Sequence, residues 1–228
     1  MNTTTTNNTT TNATPEVDRE LAQTEFGEWI AKNKAPVISA VLLLFVGIFG
    51  YGIFNHFQTK KHNEYAGSLY EVVETKLADF KAKKLTAAEF KNSITSTWEP
   101  MGGFAGAAPY VIQAADALAA QGNYQEAYDL VAAGAKRISN REASYFFNIR
   151  AAAFAESIEG KTDAAIGHLK DILASGAKYF EGKVYLDLGR LYLKKNDSKL
   201  AKDSFQWVVD NAEEPEFKKM AKIYLSEL

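Results

Sequence analysis

The chain has 228 residues, no cysteine and a formal net charge of −2 at pH 7. The lack of cysteine excludes a disulfide framework and thiolate chemistry. From residue 58 onward 23 basic residues balance 23 acidic ones, and such a neutral domain lacks the basic footprint of a nucleic-acid-binding protein. We therefore expect no nucleic-acid partner and, from about 170 residues after that point, one domain with its own core.

The N-terminal part of the chain is polar and begins with a run of Thr and Asn. Such a run cannot bury enough apolar surface to fold, so residues 1–21 are predicted to be a disordered tail. Residues 22–34 follow as an amphipathic juxtamembrane segment, in which Phe26 and Trp29 suit a membrane interface.

Residues 37–54 (VISAVLLLFVGIFGYGIF) form an apolar run without a charge, an amide or a proline. As a helix the run would span about 27 Å, close to the hydrocarbon core of a bilayer. We therefore predict one transmembrane helix over residues 35–57. A cleaved signal peptide is one alternative, although its apolar region is ordinarily only ~7–15 residues long. The other is a buried core helix, which would need covering on all sides.

Lysines flank both ends of this span, so the positive-inside rule does not decide its orientation; they are Lys32 and Lys34 before it and Lys60 and Lys61 after it. A lone early span commonly retains a short N-terminal tail inside the cell. We expect a cytoplasmic N-terminus and an exported C-terminal domain. The reverse orientation would make the domain a cytosolic adaptor.

After the span, apolar residues recur with the helical period of 3.6 rather than the strand period of 2. The predicted class is therefore all-α. A first helical hairpin is predicted over about residues 63–98, and its second helix begins with a capping box formed by Thr86 and Glu89. Pro100 and the glycines of residues 101–106 then indicate a loop.

From Pro109 onward the chain repeats a turn signature, with its alanines 38 and 36 residues apart. In each copy a Gly or Asn can accept the left-handed backbone that ends a helix, and an Ala lets two helices approach. The copies are Gly122-Asn-Tyr-Gln-Glu-Ala127, Gly160-Lys-Thr-Asp-Ala-Ala165 and Asn196-Asp-Ser-Lys-Leu-Ala201. Hairpins are predicted over about residues 109–138, 142–175 and 178–212, with a capping helix over residues 215–227.

The third copy carries the most complete motif, Leu188-Gly-x-x-Tyr192 followed by Asn196-x-Ser198-x-x-Ala201-x-x-x-Phe205. It resembles the tetratricopeptide repeat, in which L-G-x-x-Y precedes G-x-Y-x-x-A and a large apolar residue. This resemblance implies a solenoid of helical hairpins over residues 58–228. The layout of tail, anchor, long helix and degenerate repeats over roughly residues 22–228 resembles the YfgM family, ancillary subunits of the bacterial SecYEG translocon.

Membership of that family would imply a single-pass protein of the bacterial inner membrane with its C-terminal domain in the periplasm. Its partners would be translocon subunits, periplasmic chaperones or exported chains, with no small-molecule substrate. Two other functions stay open. One is an envelope scaffold for division or outer-membrane assembly, and the other is an enzyme with an unfamiliar site.

Motifs for catalysis, phosphate binding or metal binding are missing from the sequence. The histidines, His56, His62 and His168, lack the spacing of metal ligands, and we expect His168 on the surface. The sequence therefore predicts that the chain is not an enzyme and holds no metal or cofactor.

In tetratricopeptide arrays the first helix of each hairpin lines a concave groove, and this geometry implies a set of partner-binding residues. They are Gln113, Asp116, Phe147, Arg150, Phe154, Lys183, Arg190 and Lys194. The last three form a basic stripe on one helical face, which beside exposed aromatics would suit an acidic or C-terminal peptide. The alternative is a solvated helix face with Phe147 and Phe154 packed in the core.

Overall fold

The structure is a computed structural model that describes residues 24–228, and every regular element among them is a helix. The predicted all-α class is therefore confirmed, whereas the predicted tail at residues 1–21 lies outside the described residues. In the described part the α-helices are α1 Glu25–Lys32, α2 Lys34–Lys81, α3 Ala87–Trp98, α4 Ala108–Ala120, α5 Tyr124–Arg137, α6 Arg141–Glu156, α7 Thr162–Ala174, α8 Glu181–Lys194, α9 Ser198–Asn211 and α10 Pro215–Ser226. Short 3-10 turns at Glu99–Met101 and Ala105–Ala107 lie between α3 and α4.

The chain divides into two compact units that meet in sequence between Thr59 and Lys60, inside α2. In the first unit the Gly27 amide donates to the Thr24 hydroxyl at 3.1 Å and so caps α1. The rings of Phe26 and Trp29 stack with centroids 6.2 Å apart and stay more than half exposed.

The N-terminal part of α2 carries the apolar run. Its most apolar 18-residue window has a mean hydropathy of 2.5 and no buried residue. This exposure argues against the core-helix alternative, because a core helix is covered by its neighbours. The described residues thus contain one candidate membrane-spanning helix near the N-terminus, which is consistent with single-pass anchoring.

In the second unit the last part of α2 packs against α3. Phe80 stacks on Phe90 with centroids 4.9 Å apart and planes 8° apart. The predicted capping box is confirmed, since the Glu89 amide donates to the Thr86 hydroxyl at 3.2 Å and the Thr86 amide donates to the Glu89 carboxylate at 2.8 Å. The bonds that the Thr86 amide and hydroxyl donate to the Glu89 carboxylate lower the pKa of Glu89. The capping box fixes where α3 begins.

The predicted turns adopt the left-handed backbone, with φ of 82° at Gly122, 77° at Gly160 and 60° at Asn196. The alanines of the turn signature are fully buried; they are Ala127, Ala165 and Ala201. The turns therefore join α4 to α5, α6 to α7 and α8 to α9 as packed pairs, and α10 packs on α8 and α9.

Two clusters of buried side chains hold this array together. The first joins α2, α3, α4, α5 and one face of α6, where Trp98 and Phe147 stack with centroids 6.0 Å apart. The second joins another face of α6 to α7, α8, α9 and α10. Helix α6 is therefore buried on two faces, and only a narrow stripe of its surface is exposed to solvent.

The expected surface position of His168 is wrong, because the side chain is 9% exposed and lies where α7 packs on α6. Its Nδ1 donates to the Asn148 amide oxygen at 2.8 Å, and its Nε2 lies 3.4 Å from the Tyr128 hydroxyl. Asn148 in turn donates to the Ser144 carbonyl at 3.0 Å. Burial lowers the pKa of His168. The imidazole at the centre of this buried chain of hydrogen bonds is therefore favoured in its neutral form.

Candidate functional site

A cleft of about 220 Å³ opens between α6 and α8, with Leu169 of α7 at its floor. We call it the α6–α8 cleft. Its walls combine charged and apolar side chains. They are Ile149, Arg150, Ala152, Ala153 and Glu156 from α6 and Lys183, Asp187, Arg190 and Leu191 from α8. Its position follows from the hairpin repeat, which places the first helices of two successive pairs beside one another.

The best-formed contact in the cleft joins its two walls. Both terminal nitrogens of the Arg190 guanidinium donate to the Glu156 carboxylate, at 2.5 and 2.8 Å. Lys194 adds a bond to the Glu156 carbonyl at 3.1 Å. The bonds from Arg190 lower the pKa of Glu156, so the pair stays ionised at neutral pH. Such a bidentate pair orients both side chains more strictly than a single bond would.

The other charges of this face are also paired. Lys183 lies 2.6 Å from Asp187 one helical turn away, and Arg150 reaches across to Asp116 of α4 at 3.3 Å. Burial raises the pKa of Asp116, although the Arg150 charge opposes that shift. With Lys194 included, this surface therefore carries four cationic side chains and three carboxylates.

The remaining polar residue of the predicted set, Gln113, is exposed on α4 and donates to Glu74 of α2 at 3.1 Å. The structure thus leaves six of the predicted residues exposed or half-buried on α4, α6 and α8. Recognition of an acidic or C-terminal peptide by this face stays a prediction, and the basic stripe that suggested it is largely neutralised by carboxylates.

The expectation of exposed aromatics at Phe147 and Phe154 is wrong, since these side chains are 0% and 7% exposed. Both point into the first core cluster. The ring of Phe147 also fills the space above Gly134, where a Cβ would lie 2.3 Å from it. The solvent stripe of α6 instead presents Phe146, whose side chain is 55% exposed.

Two carboxylates of the cleft are not among the residues predicted from the sequence. Asp187 follows Lys183 by four residues, so helical spacing could have predicted that pair. Glu156 lies 34 residues from Arg190, and only the fold brings the two together. Within residues 24–228 no group of three or more His, Asp or Glu side chains is placed to hold a metal ion. The chemistry that this face offers is reversible ion-pair and hydrogen-bond exchange.

Comparison with known families matches residues 27–184 to the tetratricopeptide repeat-like domain. The matched region is more than two thirds of the chain, and it takes in the apolar part of α2 as well as the helices up to the start of α8. No curated protein and no solved structure matches the chain.

Proposed function

The chain belongs to the tetratricopeptide repeat-like domain family, and we propose that it is a membrane-anchored module for protein–protein interaction on the exported side of the bacterial inner membrane. Its partners would be translocon subunits, periplasmic chaperones or exported chains. The observation that carries the proposal is the α6–α8 cleft, an open surface that combines ion pairs with apolar side chains between repeated helices, in a chain with a candidate membrane span.

Partly exposed ion pairs are weak, at about 0–1 kcal/mol each. The charges of a partner can therefore replace those of the cleft at little cost in free energy, and binding through the cleft would be reversible. An anchor compensates for weak affinity, because it confines the module near its partner and raises the effective concentration. In this proposal the chain acts by holding partners at the membrane.

We further propose that the chain is not an enzyme. The charged groups of the cleft bind one another in complementary pairs, and none of them is a nucleophile held by a neighbouring base. The second candidate is an envelope scaffold for division or outer-membrane assembly. The same cleft would serve it, so the identity of the bound proteins separates the two.

Site-specific photo-crosslinking in the full-length chain tests the proposal. A photoreactive residue at Ala153, exposed in the cleft, is compared with one at Lys202, exposed on α9 outside it. We expect adducts from Ala153 alone, with translocon subunits, chaperones or exported chains as the captured proteins. Division or outer-membrane assembly proteins would favour the scaffold, and equal adducts from both positions would contradict a role for the cleft.

A further inference from the structure

A second hollow, of about 260 Å³, is lined by Glu142, Tyr145, Phe146, Tyr179 and Phe180. We call it the aromatic hollow. Three of its rings are largely exposed, Phe146 at 55%, Tyr179 at 44% and Phe180 at 58%, whereas Tyr145 is 6% exposed. An apolar concavity of this kind on the surface of a soluble domain is a candidate interaction site.

Three of the four rings of the aromatic hollow are held in place before anything binds. Tyr145 meets Phe146 edge-on at 5.5 Å and Tyr179 at 5.9 Å. The Tyr179 hydroxyl donates to the Glu142 carboxylate at 3.3 Å. A partner that enters would therefore order few side chains, which lowers the entropic cost of binding.

Phe180 adds backbone strain to this arrangement. It precedes α8 with φ of 50° and ψ of 41°, in the left-handed region. A bulky residue in this region is strained, and such residues cluster at functional sites. The strained backbone at Phe180 keeps the Phe180 ring in solvent. In that position the ring gains little stabilisation from packing in the core of the protein.

The aromatic hollow continues the α6–α8 cleft toward the first turns of both helices. Phe146 and Arg150 are neighbours on one face of α6. Phe180 lies just before α8 and precedes Lys183 of that helix by three residues. Burial and, to a smaller extent, the Asp187 charge raise the pKa of Tyr145. One extended chain could therefore contact both regions.

On its other side, Phe180 borders a polar hollow of about 230 Å³. Three carboxylates and one ammonium line it, those of Glu181, Glu213, Glu214 and Lys178. None of the three carboxylates forms an ion pair within residues 24–228. Gly182 allows this close grouping, because a Cβ there would lie 2.7 Å from the Ala212 side chain. The polar hollow is thus suited to a cation.

We propose that the aromatic hollow is an anchor site for one large apolar side chain of an extended protein segment, and that a neighbouring Lys or Arg of the same segment binds in the polar hollow. The proposal rests on the function proposed above and defines its partner as apolar and basic rather than acidic. The volume suits a single side chain, since small-molecule sites generally occupy about 300–1,000 Å³. The surplus of carboxylates beside Phe180 specifies the cation.

Peptide binding to the full-length chain in nanodiscs of zwitterionic lipid tests this proposal. The probe is a fluorescein-labelled Gly/Ser peptide with a central Phe-Lys pair, and the matched peptides carry Ala-Lys or Phe-Glu instead. We expect each matched peptide to bind at least about fivefold more weakly by fluorescence anisotropy, as for the loss of an anchor contact. Equal affinity for all three peptides would overturn the proposal.

Variants locate the site. Phe146→Ser and Phe180→Gly should each weaken binding of the Phe-Lys peptide at least about fivefold. Phe180→Gly keeps the left-handed backbone without strain, so it separates loss of the ring from loss of folding. Tyr124→Ser removes an exposed aromatic of α5 outside the hollow and should leave affinity unchanged. Unchanged binding in both hollow variants would contradict the assignment.

A charge variant tests the polar hollow separately. Glu181→Gln combined with Glu213→Gln should abolish the preference for Phe-Lys over Phe-Glu while leaving the preference for Phe over Ala. A preference for Lys that survives this change would contradict the cation site.

The same variants distinguish failure of the anchor site from failure of the proposed function. Adducts from Ala153 that persist in Phe146→Ser and Phe180→Gly would leave the cleft as an interaction surface and overturn the anchor. If those variants dissolve a dimer of the parent chain and so lower its sedimentation coefficient, the hollow contacts a second copy of the chain, which also contradicts the proposal.

Discussion

At the scale of single residues, the bidentate contact between Arg190 and Glu156 depends on guanidinium geometry. Arg190→Lys keeps the charge but loses the fork that binds both carboxylate oxygens. We expect the free energy of unfolding to fall by about 0.5–1 kcal/mol, a modest loss because both side chains are partly exposed. Urea unfolding followed by circular dichroism measures this loss.

The control is Arg141→Lys, at a residue without an ion pair in residues 24–228, and it should leave the free energy of unfolding unchanged. Equal losses of unfolding free energy in the two variants would contradict the prediction.

His168 makes the stability of the domain depend on pH. Its pKa is lowered mainly by burial; the Asp171 charge opposes this shift, and the Lys136 charge adds a smaller lowering. Below about pH 6.5 the unfolded chain binds a proton that the folded protein resists, so stability is retained above that pH and is lost as the pH falls toward the folded pKa.

We therefore expect the melting temperature to fall between pH 7.5 and pH 5, and to fall less in His168→Gln, whose amide does not titrate in this range. Thermal unfolding of both proteins at several pH values measures the difference. His62→Gln, which removes a histidine outside the Tyr128–His168–Asn148 chain, is the control and should melt like the parent. Parallel pH curves for the parent and His168→Gln would show that His168 is not the group responsible.

At the scale of helices, close packing in the first cluster depends on Gly134. A Cβ there would lie 2.3 Å from the Phe147 ring, and that ring is fully buried against Trp98. Gly134→Ala should destabilise the domain by about 1–3 kcal/mol through overpacking. The control is Gly167→Ala on α7, where the new methyl group has open space.

Gly167→Ala should instead stabilise the domain by about 0.5–1 kcal/mol, because alanine is the better helix former. The two substitutions are chemically identical, so opposite signs in urea unfolding would isolate the packing effect. A destabilised Gly167→Ala, or an unaffected Gly134→Ala, would contradict the predicted role of the Phe147 ring.

The turns were predictable from sequence because their causes are local. Gly122, Gly160 and Asn196 accept a backbone conformation that most residues avoid, and each is followed five residues later by a buried alanine. The hairpin array follows from these turn residues together with apolar residues at helical spacing. Predicting it requires no knowledge of contacts between distant parts of the chain.

The exposed face of α6 was not predictable in the same way. Phe146 and Phe147 differ by one position, about 100° around the helix, yet one ring is exposed and the other fully buried. Because α6 packs on both core clusters, its apolar residues surround most of the helix, and periodicity alone does not identify the solvent stripe. The choice depends on which neighbours cover each face, and that is a property of the fold.

At the scale of the whole molecule, the family match and the repeat motif cover different parts of the chain. The match ends at residue 184, whereas the most complete tetratricopeptide motif lies at residues 188–205. Helices α8, α9 and α10 nevertheless pack on one another and share the second core cluster. The array therefore extends past the matched region, and both the α6–α8 cleft and the polar hollow depend on that extension.

The orientation of the chain in the membrane can be measured directly because it contains no cysteine. Single substitutions Thr10→Cys and Glu227→Cys would each provide one reactive thiol against a background of none.

With an N-terminus retained inside and an exported domain, a maleimide that crosses the outer but not the inner membrane should label Glu227→Cys in intact bacterial cells. Thr10→Cys should react only after the cells are permeabilised, and its labelling in the full-length band would also exclude cleavage of the apolar segment as a signal peptide. The reverse pattern would place the cleft in the cytosol, make the protein a cytosolic adaptor and exclude periplasmic partners.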